Sequence, residues 1–409
     1  MRLLIAIAWR NLWRNRRRTL ITILAVAFAV MLSLAMRGLQ LGTYELNIKN
    51  AISLFSGYLQ VQKTGYQENP SLQKSFRADP QLTDLLDSIP EITGYAPRIT
   101  ATGLVSFGDN TKGAAIIAIS PDQERRVSKI LERVNTGAAF ASDSSDQILM
   151  GHKLLKNLRA QIGDRVVILA QGYDGSLGNR FFTVGGTLKT GSADLDGTVV
   201  LMGRQTADDL LSTYGRINML ALSLRDYRET GAVQKKLSTA LSGSPLSVLN
   251  WEEMMPALKQ AIALDDVGGQ LFLMILVTVV SFGIMNTVLM SITERFKEFG
   301  VSLAVGMPYR KLVTQVILET IFITAIGLAL GNLLGAGINY YFTTHPILLG
   351  GEYADLFAEF GFLPQQQSTM RPDIFINITL MMLGISLLAA VYPIVKVYRL
   401  EPLKGIRYT

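Results

Sequence analysis

Four apolar segments constrain this chain more than any other feature. Residues 271–291 carry no charged side chain, and residues 313–337 carry only Glu319. Two further apolar runs lie at 19–40 and 374–395. Each run reaches or exceeds the roughly 20 residues that a helix needs to cross a hydrocarbon core. The sequence therefore predicts an integral membrane protein with four transmembrane helices.

A long stretch of soluble composition separates the first two spans. We expect residues 42–266 to form an extracytoplasmic α+β domain inserted between helices 1 and 2, because short β-rich runs alternate there with helical patterns and turn signals. The other predicted segments are an amphipathic helix at 1–18, spans at 19–41, 267–292, 311–341 and 374–396, a coupling segment at 293–310, a short external loop at 342–373 and a tail at 397–409.

Hydrophobic patterning predicts the elements of the inserted domain. Strands are expected at 58–62, 114–119, 165–170, 180–188 and 198–202. Helices are expected at 80–89, 122–134, 205–213 and 231–241. We expect two subdomains, with residues 71–113 and 181–225 in different halves.

The charges predict the orientation of the chain. Residues 42–266 hold 23 basic and 24 acidic side chains, so the excess of seven positive charges belongs to the membrane part. Arginines follow Trp9 and Trp13 before the first span, and basic residues lie in the coupling segment. The basic residues at the end of the fourth span and in the tail are Lys396, Arg399, Lys404 and Arg407. The positive-inside rule then places both termini in the cytoplasm and the large domain on the extracytoplasmic side of the membrane. The basic balance reflects topology and does not indicate a nucleic-acid partner.

The sequence argues against a catalytic or metal centre. There is no cysteine, and His152 and His345 lie far apart without the spacing of a metal motif. The dipeptide Gly-Lys does not occur, which excludes a phosphate-binding P-loop. We therefore expect no catalytic residue, no metal and no cofactor on this chain. If ATP drives the protein, another polypeptide binds it.

The segment between the second and third spans has helical periodicity. Apolar residues such as Phe296 and Phe299 alternate with the charged residues Arg295, Lys297 and Glu298. This pattern predicts a short amphipathic helix at the membrane surface, followed by bends at glycine and proline. A charged helix that joins two spans is suited to exchange force with another protein.

The third span contains two further features. Glu319 is an intramembrane carboxylate, for which we consider proton coupling and, as the alternative we favour, a structural hydrogen bond to a neighbouring helix or to the linker. Gly327, Gly331 and Gly335 are spaced by four and share one helix face. They predict a close helix contact, unless they only reflect how common glycine is in membrane helices.

The order of these features resembles the FtsX-like permease family of ABC transporters, which includes MacB and the lipoprotein-release permeases LolC and LolE. The similarity covers nearly the full length. It is carried by the E-R-x-x-E-F-G segment, by the opening Trp9-Arg10-Asn11-Leu12, and by the runs 180–184 and 196–199. The residues that match the family's ATPase-coupling helix are Glu294, Arg295, Phe296, Lys297, Glu298, Phe299, Gly300, Val301 and Gly306.

The resemblance implies a permease subunit of the bacterial inner membrane that has its large domain in the periplasm and is not itself an enzyme. It would act as a homodimer or related heterodimer in the bilayer, with two copies of a cytoplasmic ABC ATPase that binds ATP and Mg. The coupling helices would pass motion to the periplasmic domains.

Within the family we favour extraction or release of lipoproteins or other lipid-linked substrates from the outer leaflet. The alternatives are a MacB-like peptide or drug efflux permease with an adaptor, and an FtsX-like scaffold that regulates a cell-wall hydrolase. Apolar residues predicted to line a substrate cavity between the first two spans are Met31, Leu34, Met36, Leu271, Phe272 and Met274. A loop between two predicted strands is either a binding site for a periplasmic carrier or a plain hairpin turn; its residues are Gln171, Tyr173, Asp174, Leu177 and Asn179.

Overall fold

A computed structural model describes residues 2–359 and 362–398 of the chain. The predicted tail at 397–409 lies outside these residues beyond Tyr398, as do Arg399, Lys404 and Arg407. The described chain divides into two compact units. The first unit, here the membrane unit, comprises residues up to Tyr44, 262–348 and from Gln365 onward; the second, here the head, comprises residues 45–261 and 349–364.

The secondary structure alternates long helices with a strand-rich insertion. The helices are α1 (Arg2–Leu12), α2 (Arg16–Ala51), α3 (Pro80–Asp87), α4 (Pro121–Glu124), α5 (His152–Leu158), α6 (Ala193–Thr198), α7 (Arg204–Leu211), α8 (Thr230–Ala240), α9 (Trp251–Met254), α10 (Pro256–Glu294), α11 (Phe296–Ala304), α12 (Tyr309–Thr344), α13 (Glu352–Glu359) and α14 (Pro372–Tyr398). The strands are β1 (Leu59–Lys63), β2 (Ile92–Phe107), β3 (Asn110–Ile119), β4 (Val134–Gly137), β5 (Gln147–Gly151), β6 (Arg165–Gln171), β7 (Leu177–Leu188), β8 (Val199–Gly203), β9 (Met219–Leu224), β10 (Leu246–Asn250), β11 (Ile347–Leu348) and β12 (Gln365–Gln366).

Four of these helices, α2, α10, α12 and α14, are long and apolar enough to cross a membrane. Each predicted span falls inside one of them, and each helix continues beyond the predicted ends. The largest extension is that of α10, which begins eleven residues before position 267. The helix α2 runs ten residues past position 41, because no proline or turn sequence interrupts it. A π-helical turn, Ile52–Ser56, follows α2, and Gly57 ends it with a φ of 72°.

The three spaced glycines let α12 approach α2 closely. A Cβ added at Gly327, Gly331 or Gly335 would lie 2.6–2.7 Å from side-chain atoms of Val26, Val30 and Leu34 respectively. These three α2 side chains are almost fully buried. The glycines thus leave the space that these α2 side chains fill, an arrangement typical of membrane helices.

The head is built around one long strand, β2. Its second half belongs to a closed ring of six strands, β2-β3-β8-β5-β7-β6, in which β6 pairs back to β2. Its first half pairs with β9, which is followed by β1 and β10. One apolar core runs through both parts and includes Val61, Ile99, Ile116, Ile148 and Phe182.

The predicted division of the head is wrong. Residues 71–113 contain β2, and residues 181–225 contain β9, and these two strands pair from Ile92↔Leu224 to Arg98↔Met219. The two ranges therefore meet in the same sheet. Sequence patterning missed this because β2 changes partners halfway along a single continuous strand.

The predicted helix at 122–134 is also wrong. The helix α4 ends at Glu124, and the chain reaches β4 at Val134 through a 3₁₀ turn. Glu124 and Arg98 are fully buried and form an ion pair at 2.6 Å, which Ser128 extends with a hydrogen bond to Glu124. This pairing and the burial of Val127 and Ile130 override the local helical preference.

Candidate functional site

The candidate site begins at α11, the helix between the second and third spans. A break at Arg295 separates it from α10, and Gly306, with a φ of 97°, and Pro308 separate it from α12. Phe296 and Phe299 are buried on the inner side. The outer side leaves Lys297, Glu298 and Val301 exposed, and Val305, which directly follows α11, is 84% exposed.

Glu319 ties α11 to the rest of the membrane unit. Its Oε1 accepts hydrogen bonds from Asn11 Nδ2 at 2.7 Å, from Arg295 Nη1 at 2.8 Å and from Gln315 Nε2 at 3.2 Å. The Arg295 guanidinium also lies 4.9 Å from the centre of the Phe299 ring. We call Asn11, Arg295, Gln315 and Glu319 the Glu319 cluster. It joins α1, the α10–α11 break and α12 at one carboxylate.

A second ion pair links the same elements nearer the surface. Arg14, in the turn between α1 and α2, contacts Glu298 of α11 at 2.6 Å, and Arg295 Nε lies 3.3 Å from Glu298. The hydrogen bond from Arg14 lowers the pKa of Glu298, and the same bond raises the pKa of Arg14. The carboxylate of Glu298 is thus held in its charged form.

The helices α2 and α10 meet through polar contacts at both ends. At the end near α11, Arg18 contacts Glu294 at 2.9 Å, and the hydroxyls of Thr22 and Thr287 are 2.9 Å apart. At the opposite end, Arg37 contacts Asp266 at 2.5 Å. Gln40 and Tyr44 both hydrogen-bond Asp265 there. Asp266 thus holds the Arg37 side chain against α10.

An apolar groove of about 650 Å³ lies between these two sets of contacts. Side chains of α2 and α10 line it, including Phe28, Ala29, Leu32, Phe272, Ile275 and Val279. Few polar atoms face it, so an acyl chain matches its surface better than a hydrated solute does.

Of the predicted cavity residues, the structure places Phe272 in this groove. The prediction for Leu34 is wrong, because this residue is fully buried against Gly335 on the α12 side of α2. Leu271 and Met274 are more than half exposed, and Met31 and Met36 are partly buried. Sequence reasoning selected large flexible side chains but could not assign the face of each helix.

The predicted partner loop is a short hairpin turn between β6 and β7. Gly172 N–H donates to Ser176 O at 2.8 Å, and Asp174 Oδ1 accepts from the N–H and the hydroxyl of Ser176, which lowers the Asp174 pKa. Tyr173 N–H donates to Leu211 O at 2.7 Å and so holds the turn against the end of α7. Leu177 is 71% exposed beyond the turn, and Gln171 and Asn179 are exposed as well.

Several residues of the site were not singled out in advance. Asn11 and Arg14 were part of the amphipathic entry helix and its basic cluster, and Gln315 sits one turn before Glu319. A polar residue one helical turn from an intramembrane carboxylate was an available signal for Gln315. Nothing in the sequence indicates that Asn11 lies beside Glu319.

Comparison with known proteins gives two family matches. The model of the MacB-like periplasmic core domain matches residues 19–240, and that of the FtsX-like permease C-terminal domain matches residues 271–402. Together they cover most of the inserted domain, the coupling segment and nearly all of the four spans.

Individual relatives carry two kinds of name. The lipoprotein-releasing system transmembrane protein LolC of Xylella fastidiosa (strain Temecula1) is 23% identical over 333 residues, which cover 78% of each chain. The macrolide export ATP-binding/permease protein MacB of Acinetobacter baylyi is 22% identical over 79% of this chain and 49% of that protein, so this chain spans about half of it. The crystallised periplasmic region of MacB from Actinobacillus actinomycetemcomitans is 13% identical, with a TM-score of 0.37; the match covers 53% of this chain and 97% of that one.

Proposed function

The chain belongs to the FtsX-like permease family of ABC transporters, with a MacB-like periplasmic core domain, and from this premise we propose that it couples ATP hydrolysis on a partner subunit to movement of its periplasmic domain. That movement extracts or releases lipoproteins or other lipid-linked substrates at the outer leaflet of the inner membrane. In this proposal two permease chains, identical or related, bind two copies of a cytoplasmic ATPase that holds ATP and Mg.

The Glu319 cluster is the observation that carries the coupling part of the proposal. A force applied to the exposed side of α11 reaches Arg295, and from there the hydrogen bonds of Glu319 reach α1 and α12. Because Glu319 and Arg295 are buried, these bonds are stronger than the same bonds would be in water. In this proposal α11 moves as one body with α1 and with the start of α12.

The groove between α2 and α10 is the observation that favours a lipid-linked substrate. Its walls are apolar, and polar contacts between the two helices lie beyond both of its ends. An acyl chain fits such a space, while the polar part of the substrate stays at the membrane surface. The relatives named for macrolide export make efflux of an apolar compound the second candidate, for which the same groove is suited.

The first test is the identity of what co-purifies with the chain. We propose to purify the tagged protein in mild detergent from its native host and to analyse bound proteins by mass spectrometry. An ABC ATPase together with acylated proteins supports the proposal. An ATPase with a periplasmic adaptor supports efflux, and an ATPase with a cell-wall hydrolase supports a signalling role; either result contradicts lipoprotein release.

The docking surface on α11 is tested by a substitution that leaves the fold intact. Val305→Asp places a charge at a position that is 84% exposed, so the membrane unit should fold normally while ATPase co-purification falls. Leu348→Asp is the matched control, because Leu348 is 76% exposed and lies beyond the far end of α12. Equal ATPase recovery with wild type and Val305→Asp would show that α11 is not the docking element.

A further inference from the structure

One face of the helix α2 combines two arginines with exposed apolar side chains. Arg16 and Arg17 are the first two residues of α2, and both are exposed. Residues four positions apart lie one above the other on a helix, so the row that begins at each arginine can be followed along α2. The row of Arg16 continues through Leu20, Leu24 and Phe28, which are 45–60% exposed. The adjacent exposed row consists of Arg17, Ile21 and Ala25.

The next arginine, Arg18, begins a row of the opposite kind. This row continues through Thr22, Val26 and Val30, which are all buried. Arg18 itself contacts Glu294 of α10 at 2.9 Å. The chain therefore uses Arg18 for packing within the membrane unit, while the two preceding arginines continue an outward-facing apolar surface.

The charges of Arg16 and Arg17 are not compensated within the described part of the chain. Neither side chain makes an ion pair or a hydrogen bond with another described residue. The carboxylates at the end of α10 and on α11 are engaged by other arginines, since Glu294 contacts Arg18 and Glu298 contacts Arg14. A counter-charge for the start of α2 must therefore come from outside the described chain.

The length of the exposed row matches one leaflet of a bilayer. Phe28 lies twelve positions after Arg16 in the same helix, which corresponds to about 18 Å of helix rise. The hydrocarbon of one leaflet is about 15 Å thick, half of the roughly 30 Å of a whole core. When α2 crosses a membrane, the row therefore places apolar side chains along one leaflet and the guanidinium groups at its headgroups.

We propose that Arg16 and Arg17 bind the headgroup of an anionic phospholipid whose acyl chains lie along Leu20, Leu24 and Phe28. The planar guanidinium donates paired hydrogen bonds that fit the oxygens of a phosphate. A zwitterionic headgroup carries its own cation, so it is attracted less strongly by two uncompensated positive charges. Basic residues beside a membrane surface favour anionic lipids for this reason.

This headgroup site is distinct from the groove between α2 and α10. Phe28 borders both spaces, but neither arginine lines the groove. The inference requires only that α2 crosses a bilayer. It does not depend on ATP coupling or on the transported substrate.

The test compares the lipids that stay bound to the full-length chain. The protein is reconstituted in nanodiscs of equimolar phosphatidylglycerol and phosphatidylcholine, extracted in mild detergent and analysed by native mass spectrometry. We expect phosphatidylglycerol to be enriched about tenfold or more over phosphatidylcholine among the lipids that the wild type retains. Arg16→Gln with Arg17→Gln should remove this enrichment. Arg16→Lys with Arg17→Lys should keep most of it, because the positive charges remain.

A matched control removes two exposed positive charges at the start of α12. This control is Arg310→Gln with Lys311→Gln. The row of Lys311 continues into the buried Gln315 and Glu319, so it does not lead to an exposed apolar face. We expect the control to keep the enrichment of the wild type. Equal loss in both double variants would show a general effect of surface charge and contradict the proposal.

Ionic strength provides an arm without substitution. Salt at about 1 M shortens the screening length to about 3 Å, so extraction in such salt should abolish the enrichment of the wild type. This measurement decides the matter if the glutamine variant does not insert. A wild type without enrichment, or with enrichment that about 1 M salt leaves unchanged, would overturn the proposal. So would a glutamine variant that loses a co-purifying ATPase but keeps the lipid, because the arginines would then bind a protein.

Discussion

Asn11 of α1 donates a 2.7 Å hydrogen bond to Glu319 of α12, although 308 positions separate the two residues in the chain. The same carboxylate oxygen accepts from Arg295, so the entry helix and the α10–α11 break share one acceptor. The intramembrane carboxylate thus has a structural environment, which is the alternative that we favoured over proton coupling. A proton carrier would have to give up these bonds in each cycle.

The Arg295–Glu319 pair should show the energetics of a buried ion pair. Both side chains are about one-tenth exposed. Glu319→Ala leaves the buried Arg295 with only its longer contact to Glu298, so it should lower the free energy of unfolding by about 3 kcal/mol. The double variant Glu319→Ala, Arg295→Ala should lose less than the sum of the two single losses. Thermal unfolding in detergent measures these differences. The more exposed Arg18–Glu294 pair is the control, and there Glu294→Ala should lower the free energy of unfolding by at most about 1 kcal/mol. If the losses of Glu319→Ala and Arg295→Ala simply add in the double variant, the two residues are not coupled.

Gly331 of α12, against which Val30 packs, should tolerate no side chain. In Gly331→Ala the new Cβ would lie 2.6 Å from Val30 and 2.7 Å from the backbone oxygen of Ala27, so α2 and α12 must separate. We expect a lower Tm and weaker membrane insertion. Gly337→Ala is the control in the same helix, because a Cβ there meets nothing within 4 Å and alanine favours the helix. A Tm for Gly331→Ala equal to that of Gly337→Ala would contradict the close packing.

A cross-link between Thr22 and Thr287 should fix α2 to α10 at one end of the groove. Their hydroxyls are 2.9 Å apart and the chain contains no cysteine, so Thr22→Cys with Thr287→Cys introduces the sole thiols. We expect copper-phenanthroline to form a disulfide, detected by mass spectrometry, and to abolish ATP-driven substrate release. Reduction should restore release. Undiminished release from the oxidised protein would show that this end of the groove does not open.

The Arg14–Glu298 contact should be sensitive to acid. Because the pKa of Glu298 is lowered in the folded protein, the contact contributes above the ordinary glutamate range and is lost as the pH falls through that lowered pKa. Arg14→Gln removes this contact, so Glu298 should then become protonated at a higher pH. The fluorescence of Trp13, which precedes Arg14 in the sequence, reports the titration of Glu298. Arg17→Gln removes the same charge from an exposed position and should leave the titration of the wild type unchanged; an equal shift in both variants would rule out a specific contact.

The sequence by itself determined the four apolar helices and the position of the inserted α+β domain. Hydrophobic length and periodicity are local properties, and they gave strands such as β6 and β8 and helices such as α7 close to their observed bounds. The glycine spacing of α12 likewise indicated a close contact, although the partner helix remained unknown. Local patterns also identified α11, since its buried and exposed residues follow helical spacing.

Only the tertiary structure decided which distant residues share an environment. The Glu319 cluster unites positions 11, 295 and 319, and no periodicity within one segment specifies such a meeting. The same holds for Leu34, whose side of α2 is set by Gly335, and for the chain after Glu124, where a buried pair with Arg98 ends the helix. The physical reason is that burial and hydrogen bonding act between elements, so their free energy depends on packing that local sequence does not contain.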